Sequence, residues 1–174
     1  MKKVLILQNK ILHYRKPFYN KLAEKYDLTV LHSGEPSIES NEIYKELIVP
    51  VKTILKLKFQ KGVISEVRKG NYYAVVAMMD IHWINNILAS FIFPSKTKFI
   101  WWGIMISDND FGNKVRALIL KQGLPSIFYT KQGIKDMEKY GVKSDKSTFC
   151  NNTIEIENRI KSFKIKGKNS ILFV

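Results

Sequence analysis

Cysteine and proline are both scarce in this chain of 174 residues, which contains one cysteine and five prolines. A single cysteine cannot form an internal disulfide, and this favours a reducing, cytoplasmic location. We expect Cys150 to be a buried, inert thiol in a short strand over residues 147–150. The few prolines and a hydrophobic fraction of 45% indicate a folded chain and not a disordered one.

Several sequence motifs are absent as well. Neither GxGxxG nor GxxxxGK[ST] occurs after a strand, so dinucleotide and P-loop sites lack their phosphate-binding loop. GxSxG and a cysteine–histidine cluster with zinc spacing are missing too. We expect no signal peptide, and the longest apolar region, residues 81–94, is shorter than the roughly 20 residues that span a bilayer. We therefore expect a soluble or peripheral protein that binds no metal.

Arginine is rare among the basic residues: only four of the 29 are arginine, and the net charge is +14. Such a charge is typical of proteins that meet a polyanion, which can be nucleic acid, an anionic membrane or a phosphorylated ligand. Arginine is the side chain best suited to bidentate recognition of bases and phosphates. Because it is rare and the lysines are spread along the chain, we favour a membrane surface over nucleic acid.

The sequence opens with a βαβ unit. An apolar run at residues 4–7 is followed by a polar turn, a helix that begins near Pro17, and a second apolar run at residues 28–31. Strands that are apolar on both faces are typical of parallel sheets covered by helices. Further strands are predicted to start near Ile43, Tyr73, Phe99, Ser126 and Ser147. The prediction is a Rossmann-like, doubly wound α/β fold with about seven mostly parallel strands and helices on both faces.

The predicted helices lie between these strands. Asp80 is placed to be the N-cap of an apolar helix over residues 81–93, and other helices are predicted at residues 62–69, 113–122, 131–140 and 154–163. Residues 1–163 are predicted to form one domain. Residues 164–174 are predicted to be a linker and, in ILFV, the first strand of a second domain that has been cut away.

The candidate site lies where the strand order reverses. If the first three strands run outward and the fourth returns beside the first, the loops after Leu7 and Met78 face each other across a crevice. The residues expected to line it are His13, Tyr14 and Arg15 on one side, Asp80, His82 and Trp83 on the other, and Trp102 with Gly103 from the next strand.

Each of these side chains could have more than one role. Asp80 could orient His82 as a base towards a hydroxyl, or Asp80 could cap the helix while His82 packs in its first turn. Arg15 could bind a phosphate or carboxylate, or form a salt bridge elsewhere. Trp101 and Trp102 should point to opposite faces of a strand, one into the core and the other open to stacking on a sugar, although core packing suits either.

Residues 51–61 form a basic segment, VKTILKLKFQK, in which Lys52, Lys56, Lys58 and Lys61 alternate with apolar residues. Such a segment can lie on an anionic bilayer with its apolar side in the interface. It can equally be a connector whose apolar residues rejoin the core.

Five stretches of the chain resemble the amino-terminal, acceptor-side domain of GT-B glycosyltransferases of group 1, or family 4. They are residues 11–34, 99–107 and 126–142, Asn152 with Thr153 after a short strand, and ILFV from Ile171. The likeness covers nearly the whole chain and depends on the order and spacing of these stretches. The chain departs from it at residues 8–10, where many members have glycines, and at His82, because many members place a histidine at the end of the fourth strand.

The resemblance implies one half of a two-domain enzyme that moves a sugar from a nucleotide-diphosphate sugar to a hydroxyl of a lipid-linked saccharide or polysaccharide precursor, at the cytoplasmic membrane face. It implies that a missing carboxyl-terminal domain binds the donor, that the chain alone is inactive, and that this domain holds no cofactor or metal. Its partners would be the acceptor, the missing domain and an anionic membrane surface. The alternative is a non-catalytic α/β module that binds a phosphorylated or nucleic acid partner.

Overall fold

The computed structural model describes residues 1–37 and 41–150 as a seven-stranded sheet flanked by helices and accompanied by a β-hairpin. The strands are β1 (Lys3–Leu7), β2 (Asp27–His32), β3 (Lys45–Ile48), β4 (Val51–Ile54), β5 (Leu57–Gln60), β6 (Ala74–Met78), β7 (Lys98–Ile104), β8 (Ser126–Phe128) and β9 (Ser147–Phe149). The helices are α1 (Lys16–Ala23), α2 (Val63–Lys69), α3 (Ile84–Ile92), α4 (Asp110–Leu120) and α5 (Lys131–Glu138), and a 3-10 turn, His13–Arg15, precedes α1.

The sheet order is β3-β2-β1-β6-β7-β8-β9, and every pair of neighbours is parallel. The first three strands step outward and β6 returns beside β1, as predicted. Leu7 pairs with Ala77, so β1 and β6 end almost level. The loops that follow these two strands therefore leave the sheet side by side, at the point where open α/β sheets form a crevice.

Side chains from β1 point alternately into two cores. Leu5 and Leu7 join the larger core, which includes residues of α2, α3, α4 and α5. Val4 and Ile6 join the smaller core, to which α1 contributes Tyr19 and Ala23. Burial on both faces explains why the central strands are continuous apolar runs, and the predicted doubly wound α/β fold is confirmed.

The helix after β6 begins later than the sequence indicated. Trp83 occupies the N-cap position of α3, and Asp80 instead accepts a hydrogen bond from the backbone N–H of His82 (3.0 Å). The prediction that Asp80 is the N-cap is therefore wrong. An aspartate can hydrogen-bond the backbone two residues on as readily as it caps a helix, so the local pattern did not separate the two.

Strand β7 extends beyond the two tryptophans to Ile104. It passes through Gly103, whose φ of +74° accompanies a shift of register between Trp102 and Ile104 in the pairing with β8. Glycine adopts this backbone conformation without steric cost. Trp101 is fully buried and Trp102 is partly exposed, so the two indoles do lie on opposite faces.

Residues 51–60 form the antiparallel hairpin of β4 and β5, which stands apart from the main sheet. Most of its apolar side chains are exposed: Val51, Ile54, Leu55 and Leu57. The interpretation that these apolar residues rejoin the core is therefore wrong. At the far edge of the sheet, Cys150 follows β9 and is exposed, so the expectation of a buried thiol is also wrong.

Some predictions lie outside the described residues: Asn152 with Thr153, the helix at residues 154–163, the linker, and the final ILFV. None of the helices in the described part of the chain is long and apolar enough to cross a bilayer.

Candidate functional site

The loops after β1 and β6 meet at the carboxyl edge of the sheet. Asn9, two residues beyond β1, places its Nδ2 atom 3.5 Å from Oδ2 of Asp80, two residues beyond β6. The backbone on both sides is tied to neighbouring strands, because the N–H of Gln8 donates to Leu31 O and that of Met79 donates to Trp102 O. We call the space that these two loops line the crevice. Its two walls are thus anchored to the sheet.

Asp80 and His82 form a contacting pair on one wall. Oδ1 of Asp80 lies 3.1 Å from Nδ1 of His82 and also accepts from the His82 backbone N–H. The side chains are 28% and 49% exposed, so solvent or a ligand can reach both. With Nδ1–H donated to the carboxylate, Nε2 remains as a proton acceptor, which is the arrangement that a histidine base requires.

Arg15 supplies a buried positive charge on the other wall. Its Nη1 donates to Gln8 Oε1 (2.8 Å) and its Nη2 to Tyr129 Oη (3.0 Å), while the guanidinium carbon lies 4.8 Å from the ring centre of Trp102. Each of these partners is neutral, and within the described residues no carboxylate pairs with Arg15. Burial acts to lower the pKa of Arg15, but the surrounding tyrosines outweigh it and the pKa is raised. A buried cation with neutral partners is suited to receive an anion.

Three other residues predicted for the site, His13, Tyr14 and Trp102, lie close to Arg15. His13 and Tyr14 pack edge to face, with ring centres 5.6 Å apart, at the more exposed end of the Arg15 turn. Trp102 is partly exposed and packs against Phe18, with ring centres 6.1 Å apart. It therefore presents part of its ring beside Arg15.

Trp83 and Gly103 do not line the crevice in the way the sequence indicated. Trp83 is only 5% exposed, and the Nζ atom of Lys58 lies 5.1 Å from its ring centre, so its ring is not open to a sugar. Gly103 is buried, and a Cβ atom there would lie 2.8 Å from Tyr129 Oη. Gly103 thus contributes by leaving room for the tyrosine that holds Arg15.

Two residues at the site were missed from sequence. Tyr129 directly follows β8, and the rule that ligands gather at the carboxyl ends of parallel strands would have found it. Arg116 lies in α4, where no local pattern marks it. Burial lowers the pKa of Arg116 while the charge of Asp80 raises it, so Arg116 lies within electrostatic range of that carboxylate. The Nη1 atom of Arg116 donates to Ser107 Oγ (3.2 Å) and Asn113 Oδ1 (3.0 Å).

The hairpin is attached to the crevice by its second strand. The Lys58 N–H donates to His82 O (2.7 Å), and Gln60 Nε2 donates to Gln8 O (3.1 Å) and Ser33 Oγ (3.0 Å). The hairpin therefore holds both walls in place. The described residues contain no group of three or more His, Cys, Asp or Glu side chains arranged to hold a metal ion.

Comparison of the sequence with models of protein families and with curated proteins gives no match. Solved structures do match. A crystal structure of Anabaena Alr3699/HepE with UDP-glucose aligns with a TM-score of 0.62 at 13% identity, over 89% of this chain and 45% of that one. The same protein with UDP aligns with a TM-score of 0.62 at 11% identity, over the same shares of the two chains.

A third structure, UDP-N-acetylglucosamine 2-epimerase from Rickettsia bellii, aligns with a TM-score of 0.58 at 15% identity, over 86% of this chain and 44% of that one. The chain has the fold of one half of a GT-B protein. It spans less than half the length of each of these structures. At these identities the likeness is one of fold.

Proposed function

We propose that the chain is the acceptor-side domain of a group 1, or family 4, glycosyltransferase. The whole enzyme would transfer a sugar from a nucleoside-diphosphate donor to a hydroxyl of a lipid-linked saccharide or polysaccharide precursor, at the inner face of the cytoplasmic membrane. The observation that supports this proposal is the contact of 3.5 Å between Asn9 and Asp80, which joins the loop after β1 to the loop after β6. Asp80 contacts His82 in the second loop, and Arg15 donates to Gln8 at the start of the first. The GT-B half-fold and the UDP-glucose in HepE support it.

In this proposal His82 accepts the proton of the acceptor hydroxyl at Nε2, while Asp80 holds Nδ1. The acceptor oxygen forms a bond to the anomeric carbon of the donor sugar, and the bond from that carbon to the diphosphate breaks. Electrons of the broken bond leave with the nucleoside diphosphate. The competing role for His82 is to position the donor sugar while the leaving phosphate takes the proton.

The other residues of the crevice would bind and orient. Arg15, with His13 and Tyr14 at its exposed end, would hold a phosphate of the lipid-linked acceptor or of the donor. Trp102 would present its open face to a sugar ring. We propose that a second domain holds the nucleotide, since this chain spans less than half of the matched structures. A coding sequence after Val174 for a second α/β domain would support that arrangement, and a stop codon there would contradict it.

The direct test is a titration of the chain with short oligosaccharides, followed by amide and imidazole NMR signals. We expect saturable shifts at Asn9, Asp80 and His82 that change little with salt. The variant Asp80→Asn should weaken this binding, because His82 loses its orienting carboxylate. Asp136→Asn is the matched control, since it makes the same change on α5, and it should leave the binding unchanged.

Two outcomes would overturn the proposal. If the NMR shifts are the same in Asp80→Asn as in the wild type, the crevice does not bind the saccharide. Binding to unrelated nucleic acids that falls steeply with salt, without saccharide binding, would favour the non-catalytic module that the charge of +14 also suits.

A further inference from the structure

The tip of the β4–β5 hairpin exposes an apolar cluster that its surroundings do not explain. The hairpin tip, residues 54–57, places Ile54 directly opposite Leu57, and these side chains are 49% and 38% exposed. Leu55 lies in the turn between them and is 93% exposed. Three neighbouring aliphatic side chains that are exposed at one end of the hairpin indicate a surface that is covered in use.

The backbone at the tip strengthens this reading. Leu55 has a φ of +56°, in the left-handed region that hairpin turns usually fill with glycine, asparagine or aspartate. A leucine there carries both conformational strain and the cost of exposing its side chain. A glycine would avoid both costs, so the structure retains an apolar side chain at a position that disfavours it.

The charge around the tip is of one sign. Residues 51–61 contain four lysines and neither aspartate nor glutamate. Lys56 lies in the turn itself, Lys52 lies on the same side of the hairpin as Ile54, and Lys61 follows β5. Lys58 differs, because its Nζ atom lies over the Trp83 ring, and the sequence-based inclusion of Lys58 among membrane-facing residues is not supported.

We propose that the hairpin tip docks into the interface of an anionic lipid bilayer, with Ile54, Leu55 and Leu57 among the acyl chains and Lys52, Lys56 and Lys61 at the headgroups. Apolar side chains rimmed by lysine match the two layers of such an interface. Because Lys58 donates its N–H to His82 O, a docked hairpin holds the Asp80–His82 turn close to the bilayer. The docking is independent of the proposed sugar transfer, and only its use in reaching a lipid-linked acceptor rests on that function.

The experiment is flotation of the full chain with vesicles of phosphatidylcholine alone, and with vesicles of equal parts phosphatidylcholine and phosphatidylglycerol. We expect binding to the anionic vesicles that weakens with salt, and little binding to the neutral ones. Removing two charges by Lys52→Gln and Lys56→Gln should lower the partition coefficient about 25-fold, at roughly fivefold for each lysine. Lys131→Gln with Lys143→Gln is the matched control and should change it much less.

The apolar contribution is tested by Leu55→Gly, which relieves the positive φ and therefore does not threaten folding. We expect the partition coefficient to fall about tenfold while the thermal midpoint is unchanged or higher. Leu118→Ala, at an exposed leucine on α4, should leave vesicle binding unchanged.

Three results would overturn the proposal. They are no binding to anionic vesicles, binding that survives both hairpin variants, and a concentration-dependent dimer in sedimentation that Ile54→Ser with Leu57→Ser abolishes. The last would assign the tip to a second copy of this chain. None of these measurements uses a nucleotide or an acceptor, so they are separate from the test of sugar binding.

Discussion

Gly103 shows how a single small residue shapes the candidate site. It lies at the register shift between β7 and β8, and the space where its side chain would be is filled by Tyr129 Oη, which accepts a hydrogen bond from Arg15. The position of the buried cation thus depends on the absence of a methyl group on the neighbouring strand.

This dependence predicts that Gly103→Ala is more damaging than its backbone angle alone requires. Gly123 has nearly the same φ, +72°, but a Cβ atom there meets nothing within 4 Å. Gly123→Ala should therefore lose about 1 kcal/mol of unfolding free energy through strain, and Gly103→Ala about 1 kcal/mol or more beyond that, because Tyr129 must move. Urea unfolding of both variants measures the difference, and equal losses would contradict the role given to Gly103.

Tyr19 predicts how stability changes at alkaline pH. Burial raises the pKa of Tyr19 to about 12, although the nearby Arg15 acts to lower it. Because the folded pKa is above the unfolded value of about 10, the contribution is complete below pH ~10 and is lost as the pH rises through about 12. It amounts to about 3 kcal/mol at most.

We expect the unfolding free energy of the wild type to fall more steeply between those pH values than that of Tyr19→Phe, which has no phenol to ionise. Urea unfolding at a series of pH values measures both slopes. Identical slopes would show that Tyr19 does not ionise differently in the folded and unfolded states.

At the scale of elements, α4 and α5 begin with side-chain caps, whereas α1, α2 and α3 do not. Asn109 accepts from Gly112 N at the start of α4, and Thr130 accepts from Gly133 N at the start of α5. In α3 the N-cap position is occupied by Trp83, which offers no side-chain acceptor, and Asp80 contacts His82.

Thr130 is the side-chain N-cap of α5, and removing its hydroxyl measures how much such a cap stabilises this fold. Thr130→Ala should cost about 1 kcal/mol of unfolding free energy, since one N–H of the first turn of α5 loses its acceptor. Thr130→Ser keeps the hydroxyl and should cost much less. Chemical denaturation of the two variants tests this. Equal unfolding free energies for the two would show that the cap does not stabilise the protein.

For the whole molecule, the net charge of +14 is the dominant long-range term. Like charges spread over a compact chain repel one another, and dissolved salt screens that repulsion. We therefore predict that the thermal midpoint rises when salt is increased from a few millimolar to about 0.15 M.

The control for this prediction is a chain with less positive charge. Lys131→Glu with Lys135→Glu reverses two exposed charges on α5 and should reduce the rise in thermal midpoint. A midpoint that falls with salt would instead indicate that attractive ion pairs, such as that of Lys45 with Asp27, outweigh the repulsion.

Features that depend on a local pattern of residues could be predicted from the sequence, whereas features that depend on tertiary contacts could not. The central strands were predictable because burial on both faces requires an unbroken apolar run, as at β1 and β6. The hairpin was harder to predict, since the sequence VKTILKLKFQK suits both a segment that lies on a bilayer and a connector that packs on the core. Exposure of Cys150 could not be predicted either, because it depends on β9 lying at the edge of the described sheet.

The sequence by itself determined the doubly wound sheet and its apolar central strands, because these follow from apolar patterning and the handedness of parallel connections. Only the tertiary structure decided which residues of the crevice contact one another. Arg15 and Tyr129 are 114 residues apart, and Asn9 and Asp80 are 71 apart. Contacts over such separations arise from strand register and from the room left at Gly103, and a local pattern carries no information about either.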